Sequence, residues 1–301
     1  MRIIKPIKPQ NIETNVASEY ELWAPEEAIP AGQYRRALDR NGIERVYYAK
    51  ANNTNKNPVD NVAIWSEVKP TVSYAMFDGY VDTLTQNEEL IHVKFLVSKA
   101  SYLCLFGLEA EDVQIITRKD GVIIGNDALS LLIKGERDSP LAFCFGENEF
   151  RRTLIHPIPG LYKSVELEIF IKTSPGYTAK CGFCTPGWAI PIGITEWGFN
   201  VSIDDYSGNY VNDFGENAFE RRPWSKPMDL DIIIPTLPDG READRVYRQL
   251  TDLRSTPLVI DANNESTDRE LLITLGYYAK VAMSSVYVGE TRLSLEIKGI
   301  I

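Results

Sequence analysis

Two stretches of the chain alternate strictly between core-type and outward-type positions. In residues 91–97, Ile91, Val93, Phe95 and Val97 alternate with His92, Lys94 and Leu96. In residues 165–172, Val165, Leu167, Ile169 and Ile171 alternate with Glu166, Glu168 and Lys172. A period of two sends successive side chains to opposite sides of an extended backbone. Each stretch therefore predicts a strand with one core face and one solvent face. Shorter apolar runs at 103–106, 113–116 and 129–133 are separated by the turn signals Asp120-Gly121 and Gly125-Asn126-Asp127. Short strands with no helical pattern between them predict an antiparallel β-sandwich over residues 74–190.

The period changes in residues 191–301. Met228, Leu230, Ile232 and Ile234 alternate with Asp229 and Asp231, which predicts a strand ended by Pro235. Asp239-Gly240 then leads into residues 241–254, where Ala243, Val246, Leu250 and Leu253 form one helical stripe. Asp244 and Arg248 stand one turn apart and are placed to pair. An apolar run at 258–260 and three strand segments, 271–278, 280–287 and 293–297, complete a predicted α+β unit in which one helix covers a sheet.

The N-terminal part is less regular. Pro6, Pro9, Pro25 and Pro30 interrupt residues 1–30, which predicts an extended arm, either a loose tail or a clasp on a neighbouring subunit. Residues 31–73 form a small module anchored by Tyr34, Val46, Tyr47, Tyr48 and Trp65, with a turn-rich loop at 51–58. So short a piece buries little core by itself and is expected to pack on the rest. The fold class is therefore mainly β: a small β module, an antiparallel β-sandwich, and a C-terminal α+β domain with one main helix.

Composition narrows the function classes. The 301 residues fit two or three domains, and 44% hydrophobic with 25% charged residues is ordinary for a globular chain. The 42 acidic side chains exceed the 32 basic ones, for a net charge of −10. An acidic surface repels phosphate backbones and anionic lipid, so neither nucleic acid nor membrane is an expected partner. No run approaches the length of a membrane span, and the Pro-broken start Met1–Pro9 does not read as a signal peptide. The four cysteines, Cys104, Cys144, Cys181 and Cys184, are then expected to be reduced thiols.

Several residue groups could carry chemistry. Cys181-Gly182-Phe183-Cys184 has the spacing of half a zinc site or of a redox dithiol. Cys104 and Cys144 lack zinc-ribbon spacing and no βαβ context surrounds the motif, so Cys181 and Cys184 are weak metal candidates beside a reading as half-buried thiols. His92 lies in a strand and His156 precedes Pro157, neither near a nucleophile elbow. Asp204, Asp205, Asp213 and Glu216 supply oxygen ligands without EF-hand spacing. Glu166 and Glu168 share a strand face and could act as paired carboxylates, but on the solvent side. No catalytic residue and no cofactor is predicted. The aromatics are the better clue. Tyr47, Tyr48 and Trp65 beside Asn52 and Asn53 could stack on sugar rings and hydrogen-bond their hydroxyls. The same rings would also serve as the small module's own core.

Residues 34–68, with Tyr47-Tyr48, the Asn52-Asn53 loop, Asn57-Pro58 and Trp65, resemble a degenerate chitin-binding-type carbohydrate module found in bacteriophage and prophage proteins. The following Pro70-Thr71-Val72-Ser73-Tyr74-Ala75-Met76-Phe77-Asp78-Gly79, then Thr83 and Thr85-Gln86, resembles a family of phage structural proteins encoded near tail genes, with Tyr74 where that family has Trp. The series continues in order through Leu105-Phe106-Gly107-Leu108, Cys181-Gly182, Gly187, Ile192-Gly193, Asp205-Tyr206-Ser207, Asp213-Phe214-Gly215, Arg221-Arg222 and Trp224-Ser225-Lys226. It runs on through Leu253-Arg254-Ser255-Thr256-Pro257 to the closing residues 293–301. Cys184 stands outside the family pattern, and Trp188 replaces a common Arg. The resemblance implies a non-enzymatic building block of a phage tail sheath, tube or baseplate. Its partners would be itself in a ring-like homo-oligomer and other tail proteins. It would be assembled in the host cytoplasm and carried in the virion. The alternative is an adhesin that touches host glycans.

Overall fold

The computed structural model describes residues 1–133, 148–160, 162–211, 215–235, 241–264, 269–287 and 289–300. The chain is mainly β, built from antiparallel sheets with one α-helix among the described residues. It divides into two units, one of residues 8–99 and 103–186, the other of residues 1–7, 100–102 and 187–301.

The first unit holds a five-stranded sheet in the order Val122–Ser130, Asp112–Lys119, Val165–Lys172, Leu90–Val97, Gln10–Thr14. The two alternating stretches are neighbours in it, with Ile169 opposite Val93 and Leu167 opposite Phe95. Their apolar rows are buried throughout, as the period of two requires. Asp120 and Gly121 adopt positive φ (49° and 80°) and close a two-residue hairpin between Lys119 and Val122. The other expected turn does not form. Gly125-Asn126-Asp127 lies inside the strand Val122–Ser130, where a Cβ on Gly125 would stand 2.8 Å from Pro159 Cγ. That glycine serves close packing, not chain reversal. A separate three-stranded sheet joins Tyr34–Leu38, Glu44–Ala49 and Trp65–Pro70.

In the second unit, residues 187–191 of the strand Phe183–Pro191 begin a sheet that continues with Arg2–Pro6, Leu258–Asp261, Ile273–Tyr287, Glu290–Gly299, Met228–Pro235 and Ile194–Thr195. The terminal residues are thus not a free arm. Ile3 lies opposite Ile190 on one side and Ile260 on the other, and both Ile3 and Ile4 are fully buried. The prolines misled the sequence reading: Pro6 closes its strand, where a missing N–H is tolerated. Further on, Gln10–Thr14 pairs with Leu90–Val97 in the first unit.

The helix Arg241–Asp252 lays Val246 and Leu250, with Leu253 just beyond its end, into the core of this unit. The Tyr278 hydroxyl donates to the Leu250 carbonyl. The helix carries an ion pair between Glu242 and Arg245, 2.7 Å apart, where the sequence suggested Asp244 and Arg248. Asp239-Gly240 lies outside the described residues. The segments 271–278 and 280–287 merge: a 3₁₀ turn, Glu270–Leu272, leads into one strand, Ile273–Tyr287. No turn residue separates them. The break in alternation at Ala279 is a bulge against Glu290–Gly299.

Gly182, inside the Cys-x-x-Cys motif, also answers to packing. A Cβ there would stand 2.1 Å from the Val81 carbonyl oxygen, a backbone atom that has little room to move. Gly182→Ala is expected to cost about 3 kcal/mol or more. Gly42→Ala, where a Cβ meets open space at positive φ, should cost about 1–2 kcal/mol. Denaturant melts of the two variants check this ranking.

Candidate functional site

Strand alternation separates the five sugar-contact candidates. Tyr34 pairs with Tyr48 across the small sheet, and Ala49 pairs with Trp65. Tyr47 and Tyr48 are adjacent in one strand, so they face opposite ways. Tyr47 and Trp65, 4% and 2% exposed, form the module's core with Ile29, Ala37 and Ala49. The Trp65 indole donates to the Lys56 carbonyl at 2.9 Å, and burial pushes the Tyr47 phenol up to about 12. Neither ring is available to a ligand.

Tyr48 belongs instead to a row of tyrosines on the opposite face. Tyr20 stacks on Tyr34 with ring centroids 5.1 Å apart, and Tyr34 meets Tyr48 at 5.2 Å. Tyr20 is 48% exposed and Tyr34 37%. Tyr20 and Tyr34 cover part of each other's faces, which leaves less ring face for a sugar to stack on. Tyr20 was not singled out in the sequence, because it sits in a segment without periodicity. Beside this row, buried Glu44 accepts from Arg36 at 2.5 Å and from Ser18 at 2.6 Å, which ties residues 18–36 to the sheet.

Asn52 and Asn53 lie in a third place. With Ala28, Ile29, Pro30 and Thr54 they line an open depression of ≈ 430 Å³ that no aromatic borders. Asn52 Oδ1 accepts from the Ala31 N–H at 2.8 Å, and the Asn53 side-chain amide donates to the Ala51 carbonyl at 3.0 Å. Both side chains thus bind the loop's own backbone. The five residues do not converge on one surface.

The other candidates resolve similarly. Cys181 and Cys184 are fully buried, the first at the end of the strand Thr178–Cys181 and the second near the start of Phe183–Pro191. Burial pushes the Cys181 thiol up to about 12, and burial with the neighbouring thiols raises Cys184 well above its ordinary range. Such thiols are poor nucleophiles. Cys104 is buried as well, and Cys144 lies outside the described residues. Among the described residues no group of three or more His, Cys, Asp or Glu side chains could hold a metal ion. Asp204 and Asp205 are exposed on a strand, while Asp213 lies outside the described residues.

Glu166 and Glu168 do share a face, but each is neutralised. Glu166 meets Lys94 at 3.1 Å, and Glu168 meets both Arg118 and His92, the latter at 2.9 Å. The His92 ring lies flat on Phe170, centroids 4.4 Å apart. Burial opposes ionisation of Glu168, yet the hydrogen bonds from Arg118 and His92 outweigh it and hold the carboxyl below its usual range. A general acid needs the reverse shift. His156 contacts Asp127 at 3.2 Å.

One surface stands out by exposure. Residues 203–211 and 215–225 lie side by side as a two-stranded ribbon. Asp204-Asp205 pairs with Trp224-Ser225, and Gly208–Val211 pairs with Asn217–Glu220. Ile203, Tyr206, Tyr210, Val211, Phe219 and Trp224 are all exposed on it, Phe219 by 76%. Phe219 and Val211 share one face with Asn209 and Asn217, while Tyr210 lies on the other with Ala218. No helix among the described residues is long and apolar enough to cross a membrane. Comparison of the chain with protein-family models, with curated proteins and with solved structures returns no match.

Two predictions follow from this geometry. Trp65→Ala should cost about 3–5 kcal/mol by emptying the module core, whereas Tyr34→Ala should cost about 1 kcal/mol, by thermal denaturation. Glu168 has a lower pKa folded than unfolded, so its contribution is present at neutral pH and fades as pH falls through the carboxylate range. Glu168→Gln should therefore lose about 1 kcal/mol at pH 7, with the gap to wild type closing in acid. A gap that stays constant with pH would refute the assignment.

Proposed function

We propose that this chain is a structural component of a bacteriophage tail, a building block of a sheath, tube or baseplate ring that acts through subunit–subunit assembly. The observation that carries the reading is the ribbon of residues 203–225. An isolated two-stranded ribbon is marginal in water. Here it also presents large apolar side chains on both faces. Contiguous exposed apolar surface of that kind marks an interaction site. The ordered motif series from residue 34 to the C-terminus supplies the phage-tail context. No catalytic step is assigned to the chain. The glycan-contact alternative is not favoured, because Tyr47 and Trp65 are core residues and Asn52 and Asn53 lie apart from Tyr48.

Static light scattering and electron microscopy of the purified chain test the reading. Multi-subunit particles are expected. Phe219→Asp should weaken their association roughly 30-fold or more while leaving the circular dichroism spectrum unchanged. A chain that stays monomeric at high concentration and never associates with virions refutes it.

A further inference from the structure

The strand Ile273–Tyr287 is only partly covered. Leu258–Asp261 pairs with its residues 273–276, and Glu290–Gly299 pairs along its other side from Gly276 to Tyr287. Among the described residues, 277–284 therefore have one edge with no strand beside it. No backbone hydrogen bond leaves that edge for any other described residue. At about 3.4 Å per residue this open edge is roughly 27 Å long. Its exposed side chains are Tyr277, Ala279, Lys280, Ala282 and Ser284, and the small Ala282 and Ser284 leave room for a further strand beside residues 281–284. Open edges of this length are templates for strand addition.

The same unit holds a ribbon whose outer side has no strand beside it among the described residues. Asp204-Asp205 and Gly208–Val211, with Tyr206-Ser207 between them, pair there only with residues 217–225, and residues 204–211 match the open edge in length. Six large apolar side chains stand on the ribbon, each about half exposed or more. Together they offer roughly 800 Å² for burial, the share one partner contributes to a standard stable interface. Charge selects the pairing. Asp204 and Asp205 give residues 204–211 a charge of −2, and Lys280 gives the open edge +1. Pairing two open edges with each other would instead bring two Lys280 side chains to one seam. The ribbon's apolar groups on both faces also suit insertion into a neighbour better than a face-to-face contact.

We infer that the open edge at residues 277–284 receives the ribbon of a second copy of this chain, residue 204–211 strand first, so that the contact runs head to tail. A head-to-tail contact closes into a ring or continues as a helix, according to the rotation between copies. The inference rests on the assembly reading above and names the two surfaces that meet.

Cross-linking two differently tagged chains tests it. One carries Asn209→Cys and the other Ser284→Cys, both at exposed positions. They are co-expressed, purified at full length, sized by light scattering and treated with a bismaleimide. Expected is a covalent dimer carrying both tags, at least tenfold above the level in either variant alone or in wild type, whose Cys104, Cys181 and Cys184 are buried. A dimer from Ser284→Cys alone means edge meets edge, and one from Asn209→Cys alone means ribbon meets ribbon. Either overturns the inference. Oligomers by light scattering without the mixed product overturn it while leaving the assembly reading intact. A monomer overturns both.

Discussion

The second unit depends on pairing along its first strand. Arg2–Pro6 lies between residues 187–191 and Leu258–Asp261, and it makes ladder hydrogen bonds on both sides. Without it the sheet would split at the point where Ile190, Ile3 and Ile260 stand side by side. Arg2 reinforces the join: its guanidinium meets the buried Asp261 carboxylate at 2.7 Å and donates to the Tyr102 hydroxyl at 2.7 Å. A buried carboxylate left without that cation would be costly. The remaining strands of the unit, the helix and the base of the ribbon are all built outward from this seam.

Much of the β architecture was readable because alternation has a direct geometric meaning. Residues 91–97 and 165–172 became adjacent strands with their apolar rows inward. The stripe Val246, Leu250 and Leu253 became the buried face of the one helix. The misreadings share a cause, which is that a local signal was used where a long-range neighbour decides. Prolines suggested an arm, but Ile3 and Ile4 had partners far along the chain. Gly125 suggested a turn, but Pro159 needed its space. Tyr47-Tyr48 looked like one platform because the residues are adjacent, although the period of two that served elsewhere places them on opposite faces.

Exposure was the least legible property. In sequence, the aromatics of the small module and those of the ribbon look equivalent. In the fold, Trp65 and Tyr47 are core, Tyr20 stacks on Tyr34, which meets Tyr48 at a tilt, and Phe219 and Tyr210 are more than half exposed. The last group leaves the most apolar surface open among these. The acidic excess adds a constraint: two chains of net charge −10 repel at long range, so any contact between copies would have to be short-range and apolar or locally matched in charge.

The buried thiols have a consequence of a different kind. Burial pushes the Cys181 thiol up to about 12 and, together with the neighbouring thiols, raises Cys184 well above its ordinary range, so both are held as neutral thiols. Oxidants and disulfides react with thiolates, so these two positions are chemically silent while the fold persists. The core at these two positions then keeps the same covalent structure in a reducing solution as in an oxidising one, without a switch from thiol to disulfide.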